Sequence, residues 1–161
     1  MDAITLIKVQ HVEIDELFEQ LKKARSDQKK RALFAELADK LVTHMTMEEQ
    51  IFYPSIKARS IMDELLEANE EHLAIRRVLA DLLDTPPSDP RFGAQVSVVS
   101  EQHEHHAHHE EEEGLFPKVL KLVSKDELDV LGGEMLSFYE QEVTKAPRRH
   151  LPEETEQAAA I

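Results

Sequence analysis

A histidine and a glutamate stand four residues apart at His44 and Glu48, in HMTMEEQIFYP, just ahead of the aromatic-proline pair Tyr53 and Pro54. A second, altered copy of the same chemistry runs from His103 to Pro117 as HEHHAHHEEEEGLFP. On a helix, residues i and i+4 project from one face, so His44 and Glu48 could share one metal environment. Two such pairs facing each other across a bundle would suit two ions. His11 and His72 stand alone in the sequence, and the chain has no cysteine. Thiolate sites, iron–sulfur clusters, disulfides and thiol catalysis are therefore excluded, and any metal must be held by nitrogen and oxygen.

The elements that must position these groups read as amphipathic helices. Residues 2–25 carry Ile4, Ile7, His11, Ile14, Phe18 and Leu21 at spacings of three and four, the seam of a bundle helix. After a polar break the pattern returns with Phe34, Leu37, Leu41, His44, Glu48 and Ile51, and Pro54 predicts a kink or a stop. A third segment, opened by a capping pair at Ser60 and Asp63, runs to Asp84 with Leu65, Ala68, His72, Ile75, Leu79 and Leu82 on its seam. The break TPPSDP leads to a fourth with Phe92, Val96, Val99, His103, His106, Glu110 and Glu113 in phase. Beyond Gly114 the apolar stripe at Leu115, Val119 and Leu122 lies one residue late, an insertion that a π-bulge would absorb. Ser124 and Glu127 form a capping box for a short fifth helix bearing Leu128, Leu131, Met135 and Phe138, which Gly132 and Gly133 weaken. The expectation is an all-α, up-down-up-down four-helix bundle over residues 1–145, its fifth helix C-terminal, with a flexible tail at 146–161.

Composition narrows the partners. Thirty-three acidic residues against 19 basic ones give a formal charge of −14 in 161 residues, which argues against a nucleic-acid partner. No apolar run has the length of a membrane span, and the N-terminus lacks a basic start followed by an apolar run, so no membrane association and a cytoplasmic location are expected.

An imidazole or carboxylate buried on a seam without a partner costs roughly 1 to 3 kcal/mol, so several placed there together require mutual hydrogen bonds or a metal. Isolated seam histidines are commonly core residues. For three segments each to place one on a stripe of about two-sevenths of positions is an outcome of roughly 1 in 40 by chance. The reading is that His11, His44, His72 and His106 supply nitrogen and Glu48 and Glu110 supply bridging carboxylates. That set suits iron, manganese or zinc and exceeds what one tetrahedral ion needs. Counting back from Pro117 instead gives Glu111 or Glu112, with His108 as partner. Otherwise Glu49, Glu111, Glu112 and Glu113 read as solvated or supporting groups, and most of His103, His105, His108 and His109 as surface residues.

The order His11, HMTMEEQIFYP, EEHLAIRRVL, EHHAHHEEEEGLFPKV resembles the hemerythrin-like, or HHE cation-binding, family over nearly the whole chain up to about residue 145. The resemblance implies a four-helix bundle around a non-haem di-iron centre with ligands at His11, His44, Glu48, His72, His106 and Glu110. It further implies binding or sensing of O2, H2O2 or NO, with redox or iron-handling roles. Oxygen-carrying members use a fifth histidine one turn from the third-helix histidine; here those positions are Ala68 and Arg76. Reversible oxygen carriage is accordingly disfavoured. A sensor or binding protein leads, with two irons that Zn or Mn could replace, ahead of a di-iron peroxidase or oxidase and of a metal storage or buffering protein whose histidine tract collects Zn(II) or Ni(II).

Overall fold

The computed structural model describes residues 1–160. Five helices make up the body: α1 (Ala3–Lys23), α2 (Asp27–Met47), α3 (Met62–Asp84), α4 (Pro90–Glu104) and α5 (Lys125–Glu142). Among the described residues there is no strand. Helices α1 to α4 each pack on their sequence neighbour, and α4 closes back on α1; α5 lies against α1 and α2. The expected up-down-up-down bundle is what the chain forms.

Starts and stops follow local chemistry. Asp2, Ser26, Asp89 and Ser124 each accept a hydrogen bond from a first-turn backbone N–H at a helix N-terminus. Ser124 and Glu127 complete the predicted capping box. Ser60 does not cap α3, because it lies in a 3-10 turn, Arg59–Ile61, and the helix opens after Ile61 with no side-chain cap. Gly132 is needed for a close approach: a Cβ there would stand 2.3 Å from the Met1 carbonyl oxygen, so α5 packs on the chain's start only through a bare backbone.

Two helices widen where they meet the site. Beyond Met47, α2 continues as a π-helical stretch, Glu48–Phe52, and a final α-turn, Tyr53–Ser55. Beyond Glu104, α4 continues as a longer π-helical stretch, His105–Leu115, and an α-turn, Phe116–Leu122. Each stretch is followed by a proline, Pro54 or Pro117. A proline inside an α-helix lacks an N–H and clashes with the carbonyl four residues back, and a widened turn relieves both. The single extra residue expected near Gly114 is thus spread over a whole π-helical stretch, and the helix that carries Pro54 stops at Ser55, one residue beyond the proline, as expected.

The apolar interior is split. One cluster joins Ile14, Phe18, Phe34, Leu37, Leu41, Leu79, Phe92 and Val99; another joins Ile7, Met47, Phe52, Ile61, Leu65, Phe116, Leu128 and Met135. Buried polar residues supplied by all four bundle helices, among them His11, His44, Glu48, His72, His106 and Glu111, complete the interior. Part of the stretch expected as a tail is folded: Pro147–His150 and Leu151–Glu154 form short helical turns. Leu151 is buried in the first cluster, Arg148 pairs with Asp39 of α2, and Glu154 pairs with Arg76 of α3. No helix among the described residues is long and apolar enough to cross a membrane.

Candidate metal centre

Each bundle helix sends at least one group to the centre. α1 contributes His11, α2 His44 and the adjoining Glu48, α3 His72, and the π-helical stretch after α4 both His106 and Glu111; all six are at most 1% exposed. Glu48 spans two histidines, with Oε1 3.2 Å from His44 Nε2 and Oε2 3.2 Å from His72 Nε2. Glu111 does the same on the opposite side, with Oε2 3.2 Å from His11 Nε2 and Oε1 3.7 Å from His106 Nε2. The outcome is two adjoining pairs, His11 with His44 and His72 with His106, linked by two shared carboxylates.

The far nitrogen of every one of these rings is held from behind. Nδ1 of His11 lies 2.7 Å from Glu112 Oε1, that of His44 2.7 Å from Gln10 Oε1, that of His72 2.9 Å from Glu49 Oε1, and that of His106 3.2 Å from Glu71 Oε1. An ionised carboxylate or an amide oxygen can only accept, so Nδ1 carries the proton in each ring and Nε2 turns a lone pair inward. Backing of this kind fixes orientation and raises basicity in metal-ligating histidines.

The inward atoms fit a cation better than they fit each other. His11 Nε2, His44 Nε2, Glu48 Oε1 and Glu111 Oε2 are buried without a hydrogen-bond partner. His72 Nε2 and His106 Nε2 are 2.9 Å apart, two lone pairs that repel unless something positive lies between them. Leaving such groups unpaired costs about 1 to 3 kcal/mol each, and they converge into two sets that could each hold a metal ion: His11, His44, Glu48 and Glu111, and Glu48, His72 and His106.

Electrostatics point the same way. Burial and the neighbouring histidines hold the His44 pKa well below its ordinary value, so the ring is neutral and free to donate its lone pair. Burial and the charged Glu111 push Glu48 well up. Burial also opposes ionisation of Glu111, yet His106, His11 and Tyr53 outweigh it and keep that carboxyl below its usual range. Protons and cations therefore compete for the same atoms, and binding a cation would release protons.

Of the residues the sequence singled out, His11, His44, Glu48, His72 and His106 come together. Glu110 does not. Its side chain is 36% exposed and lies 3.1 Å from His105 Nε2, itself on the surface. The reason is the helical winding: in a π-helical stretch i and i+5 share a face, so His106 pairs with Glu111. Counting back from the proline finds this residue, since Glu48 precedes Pro54 by the same interval as Glu111 precedes Pro117. Glu113, also expected on the seam, is exposed. His105 and His109 lie on the surface as expected and His108 is partly exposed, but His103 is buried, 3.5 Å from Asp15.

Sequence reasoning missed Tyr53 and the supporting groups Gln10 and Glu71. The Tyr53 hydroxyl donates to Glu111 Oε1 at 2.5 Å, lies 3.5 Å from Glu48 Oε2, and its ring stacks on His72. It belongs to the FYP signature, so the signal was present without a role attached to it. Gln10 left no signal beyond lying next to His11.

Residues 2–134 match the hemerythrin HHE cation binding domain. The chain belongs to the hemerythrin HHE cation-binding family. Its fold is similar to that of a hemerythrin HHE cation binding domain-containing protein from Mycobacterium kansasii, at a TM-score of 0.82 and 28% identity over 93% of this chain and 92% of that one. A DNA nickase from Nostoc sp. is 25% identical over 96 residues, which are 60% of this chain and 27% of the relative. The HHE chain thus spans about a quarter of that relative's length.

Proposed function

We propose that this HHE protein holds two iron ions and uses them to bind or sense a small oxidant or diatomic ligand, O2, H2O2 or NO. The observation that carries the reading is the pair of shared carboxylates: Glu48 and Glu111 each reach both histidine pairs, which is what a dinuclear site needs and a mononuclear one does not. The ligands proposed are His11, His44, Glu48, His72, His106 and Glu111. Nitrogen and carboxylate donors without thiolate suit iron, manganese or zinc, and iron, when bound, would supply electron transfer and positions open to small molecules.

The chain's own residues define where such a molecule would sit. The His72–His106 pair is held less closely than its neighbour, with Glu111 Oε1 3.7 Å from His106 Nε2 against 3.2 Å for each carboxylate contact of the other pair, and Tyr53 stands beside it. Burial and the surrounding carboxylates push the Tyr53 pKa well up, so the phenol keeps its proton and can donate a hydrogen bond at Oη. Phe52, Phe116 and Met47 pack close by and keep water away. A small cavity of about 70 Å³, lined by Glu49, Tyr53, Met62, Leu65, Leu66 and Asn69, approaches this side from the surface. It has room for a molecule of peroxide or diatomic size, since water occupies about 30 Å³.

Catalytic peroxide turnover is a second reading, favoured by the phenol proton held at Tyr53. Storage draws only on exposed His105 and His109, which join neither converging set. Nicking of DNA is not carried over, because the matched region is a minor part of the Nostoc protein and the net charge of −14 opposes a phosphate backbone.

Metal analysis after anaerobic Fe(II) loading, followed by optical spectra before and after air or peroxide, tests the proposal. About two irons per chain, with a near-ultraviolet band that appears on oxidation and persists until a reductant is added, is the expected result. Zinc or nickel bound in excess of two per chain and unaffected by His44→Ala would overturn it.

A further inference from the structure

Arg76 lies one turn after His72 on α3 and is buried. Its Nη1 donates to Glu49 Oε1 at 2.6 Å, its Nη2 to Thr46 Oγ1 at 3.2 Å, and its Nε to Glu154 Oε2 at 2.9 Å. The same Glu49 oxygen, Oε1, accepts the hydrogen bond from His72 Nδ1 at 2.9 Å. One oxygen therefore serves both a guanidinium and the imidazole of a proposed ligand.

The geometry points to Glu154 as a positioning residue of the metal centre, acting through Arg76 and Glu49 on His72. A buried guanidinium needs carboxylate compensation, and with a single carboxylate in reach it would draw on that one fully. Glu154 offers a second carboxylate on the opposite edge of the fork, which divides the demand and leaves Glu49 Oε1 available to His72. It gets there because Leu151, three residues earlier, is anchored in the core. Glu154 lies beyond the family match, which ends at residue 134.

The effect is one-sided. His11 and His44 are backed by Glu112 and Gln10, neither of which touches Arg76. Without the Glu154 charge, Arg76 would turn more fully to Glu49, the His72 Nδ1–H bond would weaken, and His72 Nε2 would become a poorer donor. Glu154 is one-third exposed, so solvent screening keeps the effect modest.

This inference rests on the proposed metal function, but its first test is made on metal-free protein. Imidazole 15N and ring N–H resonances are compared in wild type, Glu154→Ala, Glu154→Gln and, as a control that loosens the same segment elsewhere, Arg148→Ala. The His72 Nδ1–H signal should move toward the weakly bonded range in Glu154→Ala, less so in Glu154→Gln, and stay in place in Arg148→Ala, with His44 unmoved throughout. After metal loading, one of the two ions should pass to a chelator roughly threefold to tenfold faster in Glu154→Ala, the other at the wild-type rate. An unchanged His72 signal in Glu154→Ala, or an equal shift in Arg148→Ala, would overturn the assignment. Wild-type protein that takes up no metal would instead overturn the functional reading, leaving the resonance comparison to decide the role of Glu154.

Discussion

The two histidine pairs have the same inward chemistry but different surroundings. His11 and His44 face both shared carboxylates and are backed by one carboxylate, Glu112, and one neutral amide, Gln10. His72 and His106 are backed by two carboxylates, Glu49 and Glu71, and have the Tyr53 phenol and the Arg76 guanidinium at hand. The first pair is held by both carboxylates at 3.2 Å, whereas Glu111 stands 3.7 Å from His106 of the second pair, on the side where the Tyr53 phenol lies. In the dinuclear site we propose, this arrangement would separate holding from reacting, with one half closed and the other provided for an incoming molecule.

Removing ligands should separate the halves most strongly. His44→Ala should weaken one ion by more than about 100-fold and leave the other, and His72→Ala should do the converse, beyond the roughly 10- to 100-fold of supporting groups. Chelator competition resolves the two losses, and loss of both ions in either variant would break the comparison. Tyr53→Phe should leave metal content unchanged and slow the peroxide reaction of the reduced protein by at least about tenfold, the low end of what a positioned proton donor contributes. An unaltered stopped-flow rate would remove Tyr53 from the reacting half.

Supporting groups should give smaller effects. Gln10→Ala should weaken only the His11–His44 ion, by about tenfold, because His44 loses the acceptor that sets its tautomer. The smallest effect is in titration of metal-free protein, where His11 and His72, one ring from each half, should move oppositely. For His11 burial lowers the pKa, but the adjacent Glu111 and Glu112 carboxylates, the latter accepting from Nδ1, outweigh it and raise it above 6.5. Its stabilising contribution is complete below 6.5 and is lost as pH climbs through the raised value. Burial and His106 bring His72 down to about 4, so its contribution is complete above 6.5 and is lost as pH falls toward 4. Ring-proton NMR against pH reads both, and coincident titration of His11 and His72 near 6.5 would show that their surroundings are alike.

Much of this was legible in the sequence because seam spacing reports burial directly. Ile4, Ile7, His11, Ile14 and Phe18 sit on the core face as their three-four spacing requires. The fourth-helix carboxylate was misplaced because an α-helical period was carried through a stretch that winds as a π-helix. The late apolar stripe at Leu115 and the matched prolines recorded that winding, and they outweigh an i+4 count within a run of four glutamates. The residues after Ala146 read as a tail because a single buried Leu151 has no period, and its anchors, Asp39 and Arg76, are distant in sequence. Gln10 and Glu71 were illegible for a related reason: a group that supports a ligand from another helix needs no pattern of its own.

The measurement that tests the central claim most directly is iron content per chain for wild type, Glu110→Ala and Glu111→Ala, loaded with Fe(II) side by side under the same anaerobic conditions. If Glu111 links both histidine pairs from the π-helical stretch, wild type and Glu110→Ala should each hold about two irons and Glu111→Ala fewer than one. Full loading of Glu111→Ala, or an equal loss in Glu110→Ala, would contradict the shared-carboxylate centre.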